Sequence, residues 1–177
     1  MAGYRGIGVV FARRTSRAAR VETTVMQRLP SATRETFIKA NMSCWVPIEH
    51  ATDIFDVASS LMYPSSTNAI RELGRALARD NLGGAYRHFV RMMSVPFLIK
   101  QNALLWRAYH NAGRTEVELF DSNSVVLRVH EYPDLPERFR ECMCGWLEQA
   151  IVMTGGKDVC VEKSDIEPVH KWHMTWR

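Results

Sequence analysis

Apolar residues recur along this chain with two different periods, and the change from one to the other divides it. Through the first two thirds the spacing is helical. Ile54, Val57, Ala58 and Leu61 share one side of a helix predicted over 52–62, which Tyr63-Pro64 stops because proline disfavours helix at the residue before it. Ile70, Leu73 and Leu77 mark the next helix, over 66–81. Gly83-Gly84 separates it from a short helix carrying Tyr86, Phe89, Val90 and Met93. Ser94 followed by Pro96 then reads as a fresh N-terminus. It opens one long apolar helix with Phe97, Leu98, Leu104, Leu105, Trp106 and Tyr109, ending at Asn111-Ala112-Gly113. Upstream the pattern is weaker. Residues 4–12 read as a strand, 16–28 as a helix with a thin apolar face, and Pro30 opens a helix that buries Phe37 and Ile38. Cys44-Trp45-Val46-Pro47-Ile48 reads as extended.

After residue 113 the period drops to two. Thr115–Leu119 and Val125–Val129 alternate across a turn of Asp121-Ser122-Asn123-Ser124, which predicts an antiparallel hairpin. Asp134-Leu135-Pro136-Glu137 has the spacing of a capping box, ahead of a helix with Phe139, Cys142, Trp146, Leu147, Ala150 and Ile151 inward. Gly155-Gly156 closes that helix, and a second hairpin pairs Val159 and Val161 with a last strand over 169–177. On that strand His170, Trp172, Met174 and Trp176 share one face, because side chains alternate. The predicted fold class is α+β, with helices packed on one face of a small antiparallel sheet. The 177 residues form a single domain, residues 1–44 preceding a larger region 45–177.

Composition narrows the function classes only a little. The chain is 46% hydrophobic and 24% charged, with a net charge of +4. The Arg-rich, acid-free first twenty residues resemble a mitochondrial presequence in composition, but a first strand followed by a basic helix is the reading preferred for them. No apolar run reaches the length of a bilayer span, and a cytoplasmic setting with reduced thiols is expected. Cys44, Cys142, Cys144 and Cys160 contain no C-x-x-C pair. Cys142 and Cys144 lie about 200° apart around a helix, and His170 and His173 fall on opposite faces of a strand, so no metal site is expected. His88 and His110 are the histidines placed to ligate a cofactor, each also readable as a helix boundary residue. No hydrolase, phosphate-loop or metalloprotease motif occurs, so the chain is expected not to be an enzyme. Arg71, Arg75 and Arg79 recur every four residues on one helix, with Arg87 and Arg91 beyond them. This stripe is the one candidate for phosphate or nucleic-acid binding, its plain reading being a solvated helix face. Trp106, Tyr109, Trp146, Trp172, Met174 and Trp176 fall on core faces of adjacent elements. They are the expected walls of any pocket for a small hydrophobic ligand.

The marks Trp45-Val46-Pro47, Tyr63-Pro64, Glu72-Leu73-Gly74-Arg75, Trp106-Arg107-Ala108-Tyr109 with Gly113, Gly145-Trp146-Leu147 and the closing Trp176 occur in an order that resembles the 4-vinyl-reductase-type domains and a related myxobacterial paralogous family. The resemblance spans about three quarters of the chain. Such domains share their fold with the small subunits of the TRAPP tethering complex and with bacterial haem–nitric-oxide sensors. It implies a regulatory or sensory module, often a homodimer, with an apolar pocket between helices and sheet. Where the family often carries cysteines, this chain has Cys160 or Ser164, and His170. The Tyr-x-Ser-x-Arg pattern by which the haem sensors hold propionates is absent. The expected function is therefore a non-catalytic module for a small hydrophobic ligand or a protein partner, with no cofactor. The alternatives are a phosphate or nucleic-acid binder, a reductase-type enzyme and a haem-binding sensor.

Overall fold

A computed structural model describes residues 1–83, 92–132, 134–166 and 169–177. The α+β class stands: a four-stranded antiparallel sheet is covered on one face by helices, and a two-stranded ribbon lies apart from it. The helix predicted around Phe89 falls outside the described residues.

The N-terminal part departs most from the sequence pattern. The strand predicted over 4–12 is only three residues long, β1 (Gly3–Arg5), and the chain turns at once into helix α1 (Ile7–Ala18). Val9, Ala12 and Ser16 are buried at helical spacing along it. Gly8 makes the turn workable. A Cβ there would come within 2.4 Å of the Tyr4 ring and 2.8 Å of Phe55. The helix predicted over 16–28 is interrupted at Arg20, whose φ is 61°, and resumes as α2 (Glu22–Arg28). Helix α3 (Ser31–Lys39) buries Phe37 but leaves Ile38 55% exposed, since neighbours on a helix cannot share a face. Strand β2 (Trp45–Pro47) pairs antiparallel with β1, Tyr4 opposite Val46.

Helix α4 (Ile48–Met62) begins four residues earlier than predicted and ends at Tyr63 as expected. Helix α5 (Ala69–Gly83) follows. The long helix expected after Ser94 is two: α6 (Val95–Lys100), whose first turn is capped by the Ser94 hydroxyl accepting from the Phe97 N–H, and α7 (Asn102–Tyr109), with Gln101 between them. The break rotates Leu104 outward, 68% exposed, while Trp106 stays buried.

Strands β3 (Arg114–Phe120) and β4 (Ser124–His130) form the first predicted hairpin, and β5 (Cys160–Ile166) with β6 (Val169–Thr175) the second. The order is β3-β4-β6-β5, so β6 lies between β4 and β5 and joins the two hairpins, with Val125 opposite Met174 and Leu127 opposite Trp172. Helix α8 (Glu137–Met153) lies across the inner face of this sheet. The capping box does not form: Pro136 occupies the cap position and no side chain caps the helix. Between α5 and α8 the two backbones touch. A Cβ on Gly145 would stand 1.9 Å from the Arg71 carbonyl oxygen, and one on Gly74 2.0 Å from that of Cys142.

Candidate functional site

Where α4, α5, α6, α7 and α8 meet the sheet, packing is incomplete and leaves a cavity of about 110 Å³. Its walls come from every layer of the fold. Tyr4 arrives from β1, Phe55 from α4, Leu98 and Ile99 from α6, Trp106 and Tyr109 from α7, Phe139, Cys142 and Trp146 from α8, and Leu127 and Met174 from the sheet. Among the described lining residues none carries a formal charge apart from the titratable ring of His110, which burial holds neutral with its pKa pushed down to about 3. Burial likewise pushes the Cys142 thiol up to about 12, which makes it an inert apolar neighbour rather than a nucleophile.

The wall is largely a stack of rings. His110 lies flat against Trp106, ring centres 3.9 Å apart and 6° from parallel. Tyr4, Tyr132 and Phe139 meet the same imidazole edge-on. Tyr4 and Phe55 add a T-shaped pair at 5.8 Å. The indole N–H of Trp106 donates to the Ala112 carbonyl at 2.9 Å, so the ring is fixed at both ends. By contrast, Nδ1 of His110 is buried without a hydrogen-bond partner among the described residues.

Of the six aromatic and methionine positions singled out in the sequence, Trp106, Tyr109, Trp146 and Met174 lie on the cavity wall. Trp172 and Trp176 are buried but lie off it; the Trp172 N–H reaches the Arg140 carbonyl at 3.4 Å behind α8. The residues that the sequence pattern did not single out are Tyr4 and Phe55, and they meet His110, one of the two histidines considered as a cofactor ligand, on the wall. The three arrive from elements separated by half the chain, and only the oddly placed Gly8 beside Tyr4 hints at a close packing there.

The arginine stripe faces α8, with Arg71 and Arg75 half-buried there and Arg79 still exposed. Arg75 donates to Glu148 through Nε and Nη2 at 2.9 and 2.7 Å, and Arg71 pairs with Glu148 and with Glu141. Arg79 donates to the Gln149 side chain at 2.7 Å. Glu148 is thus a buried carboxylate held by two guanidinium groups. Replacing Arg71 by leucine is expected to lower unfolding free energy by about 2 kcal/mol, because part of the charge on Glu148 is left unpaired. Equilibrium urea unfolding measures it, and an unchanged midpoint contradicts the pairing. Arg87, Arg91 and His88 fall outside the described residues. Cys142 and Cys144 are buried, Cys160 is exposed, and no cluster of three or more potential metal ligands occurs among the described residues.

No helix among the described residues is long and apolar enough to cross a membrane. No protein-family model matches the chain, and no curated protein is similar to it at a significant level. Solved structures are. An H-NOX protein from K. algicida in its Fe(II) unliganded form superposes with a TM-score of 0.67 at 10% identity, covering 98% of this chain and 96% of that one. An oxygen-binding H-NOX domain related to soluble guanylate cyclases gives a TM-score of 0.64 at 13% identity over 98% and 95%. An H-NOX protein studied for the function of haem distortion gives 0.65 at 15% identity over 98% and 95%. At such identities the likeness is one of architecture, and it is complete from end to end: the chain has the H-NOX fold.

Proposed function

We propose that this chain is a non-catalytic sensory domain whose interior cavity receives a small, apolar, uncharged molecule. The observation that carries the reading is the cavity itself: an aromatic-walled space of about 110 Å³ to which β1, the helices and the four-stranded sheet all contribute wall residues. The structures that share this chain's architecture are H-NOX proteins, one of them an oxygen-binding domain, and the 4-vinyl-reductase-type resemblance implies a sensory module.

Haem, whose distortion was studied in one of these H-NOX proteins, does not fit the described residues. An apolar cavity of roughly 150 Å³ holds a benzene ring, and a porphyrin with two propionates is several times larger. No lysine or arginine among the described residues lines the wall to meet a propionate. His110, the wall's imidazole, has one face closed by Trp106 and its Nδ1 sealed from any probe the size of water. The cavity suits something nearer a single ring.

Thermal unfolding with toluene and, separately, with haemin tests this. Toluene near ten times its Kd is expected to stabilise the domain by about 1.4 kcal/mol, and Leu147→Phe, which fills the wall, is expected to abolish the shift. Haemin is expected to give no stoichiometric, histidine-dependent Soret band. Absence of any toluene effect, or tight haem binding, defeats the reading.

A further inference from the structure

A second feature lies on the opposite side of β1 from the cavity and shares none of its lining residues. Residues 1–45 carry eight lysines and arginines against two carboxylates, Glu22 and Glu35, a net +6 in a chain whose total is +4. The basic charge therefore belongs to the lobe of α1, α2, α3 and β2, and the remainder is slightly acidic. On this lobe, between the end of α3 and the start of β2, three large apolar side chains stand in water: Ile38, Met42 and Trp45, 55%, 59% and 41% exposed.

The segment that presents them is fastened from below. Arg13 donates to the carbonyl oxygens of Phe37, Ile38 and Ala40 at 2.8, 2.6 and 3.1 Å. Arg5 donates to the Ser43 carbonyl at 2.8 Å, and its guanidinium lies 3.9 Å over the Trp45 ring. The Asn41 side chain accepts from the Ser43 and Cys44 N–H groups, both at 3.0 Å, which closes the turn. Arg5 and Arg13 are thus spent on carbonyls, and neither forms an ion pair with a carboxylate among the described residues. Their positive charge stays uncompensated beneath an apolar crest, with exposed Arg14, Arg17, Arg20, Arg28, Arg34 and Lys39 around it. Some of that ring is tempered, Arg14 by Asp80, Arg17 by Glu22 and Lys39 by Glu35.

We infer that this crest docks on an anionic lipid surface, Ile38, Met42 and Trp45 entering the headgroup boundary while the surrounding cations meet lipid phosphates. Apolar side chains on a rigid turn and a one-sided cationic field are what interfacial binding requires. A nucleic acid would use the same charge but gains little from exposed Ile38 and Met42, which present no hydrogen-bonding group to a base or phosphate.

Co-sedimentation of the full chain with vesicles of phosphatidylcholine, alone and mixed with phosphatidylglycerol, decides it. The chain is expected to bind the mixed vesicles at least about tenfold more tightly than the neutral ones, and to lose that preference as salt is raised. Ile38→Asp with Met42→Asp, both at exposed positions, is expected to cost at least about a further tenfold. Val152→Asp, equally exposed but outside this lobe, leaves binding unchanged. Tryptophan emission shifts to the blue on binding, and Trp45→Phe removes that shift. The inference is overturned by equal binding to both vesicle types at low salt, by a double variant that binds as the parent does, or by duplex DNA being retained where anionic vesicles are not.

Discussion

Gly145→Ala is expected to lower the unfolding free energy by at least about 3 kcal/mol, a large part of what a domain of this size possesses. The added Cβ would stand 1.9 Å from the Arg71 carbonyl oxygen, 2.8 Å from its carbonyl carbon and 3.1 Å from its Cα. All three are backbone atoms, so no side chain can swing aside. Relief requires α5 and α8 to separate along their length, and Leu73 and Cys142 are buried beside that contact. Gly74→Ala should behave alike, its Cβ lying 2.0 Å from the Cys142 carbonyl oxygen and 3.0 Å from the Trp146 nitrogen. Gly83→Ala is the control. Nothing among the described residues lies within 4 Å of a Cβ there, and alanine at the end of α5 should be neutral or stabilise by up to about 1 kcal/mol. Urea unfolding of the three variants checks the set. A Gly145→Ala protein as stable as its parent would mean that the two helices do not touch through their backbones.

The second large effect is one of pH. In the unfolded chain His110 takes up a proton near pH 6.5, whereas burial pushes its pKa in the fold down to about 3. Its folded pKa is depressed, so between those values the unfolded state binds the extra proton. Stability is therefore complete above about pH 6.5 and falls as the solution is acidified towards pH 3. Between about pH 6.5 and pH 5, where few carboxylates titrate, the loss from this one group amounts to about 2 kcal/mol. Over the full interval it is on the order of 4 kcal/mol. His110→Phe keeps a flat ring against Trp106, removes the unpartnered Nδ1 and should flatten that slope. Its stability at pH 7 should match or exceed the parent's, since a buried nitrogen without a partner costs about 1–3 kcal/mol. Chemical denaturation at several pH values reads the outcome, and parallel slopes in parent and variant would place the imidazole in contact with water.

The regular parts of this fold were legible for a simple reason: each side of the sheet-bearing half is dictated by its own period. Val125, Leu127 and Val129 alternate with half-exposed neighbours, and Phe139, Cys142 and Trp146 line one helix side, so local pattern and burial agree. The failures share a cause, tertiary contacts overriding local preference. Gly6-Ile7-Gly8-Val9-Val10 has a strand's composition, yet it becomes helix because Gly8 admits Tyr4 and Phe55 at a distance that no side chain allows. Asp134 and Glu137 have capping-box spacing, but Pro136 stands at the cap and displaces the aspartate from the role. The arginine stripe was visible as a stripe. That it turns towards Glu148 depends on which face of α8 lies opposite, and no periodicity within α5 reports that. The cavity was half legible for the same reason. Trp106, Tyr109, Trp146 and Met174 sit on core faces that the pattern defines, whereas Tyr4 and His110 are brought together across more than a hundred residues by an isolated bridge.

That bridge has a mechanical consequence. Strand β1 is three residues long, and alternation sends its central ring inward to the void while the next side chain reaches outward beneath Trp45. Its first residue is tethered as well, the Gly3 N–H donating to Asn111 at 2.7 Å just beyond His110. A guest that displaces the Tyr4 ring therefore tugs the guanidinium clamp on Ser43, with no intervening loop to absorb the motion. Thermodynamic linkage makes such a lever work both ways: whatever factor occupancy inside applies to attachment outside, attachment returns in equal measure.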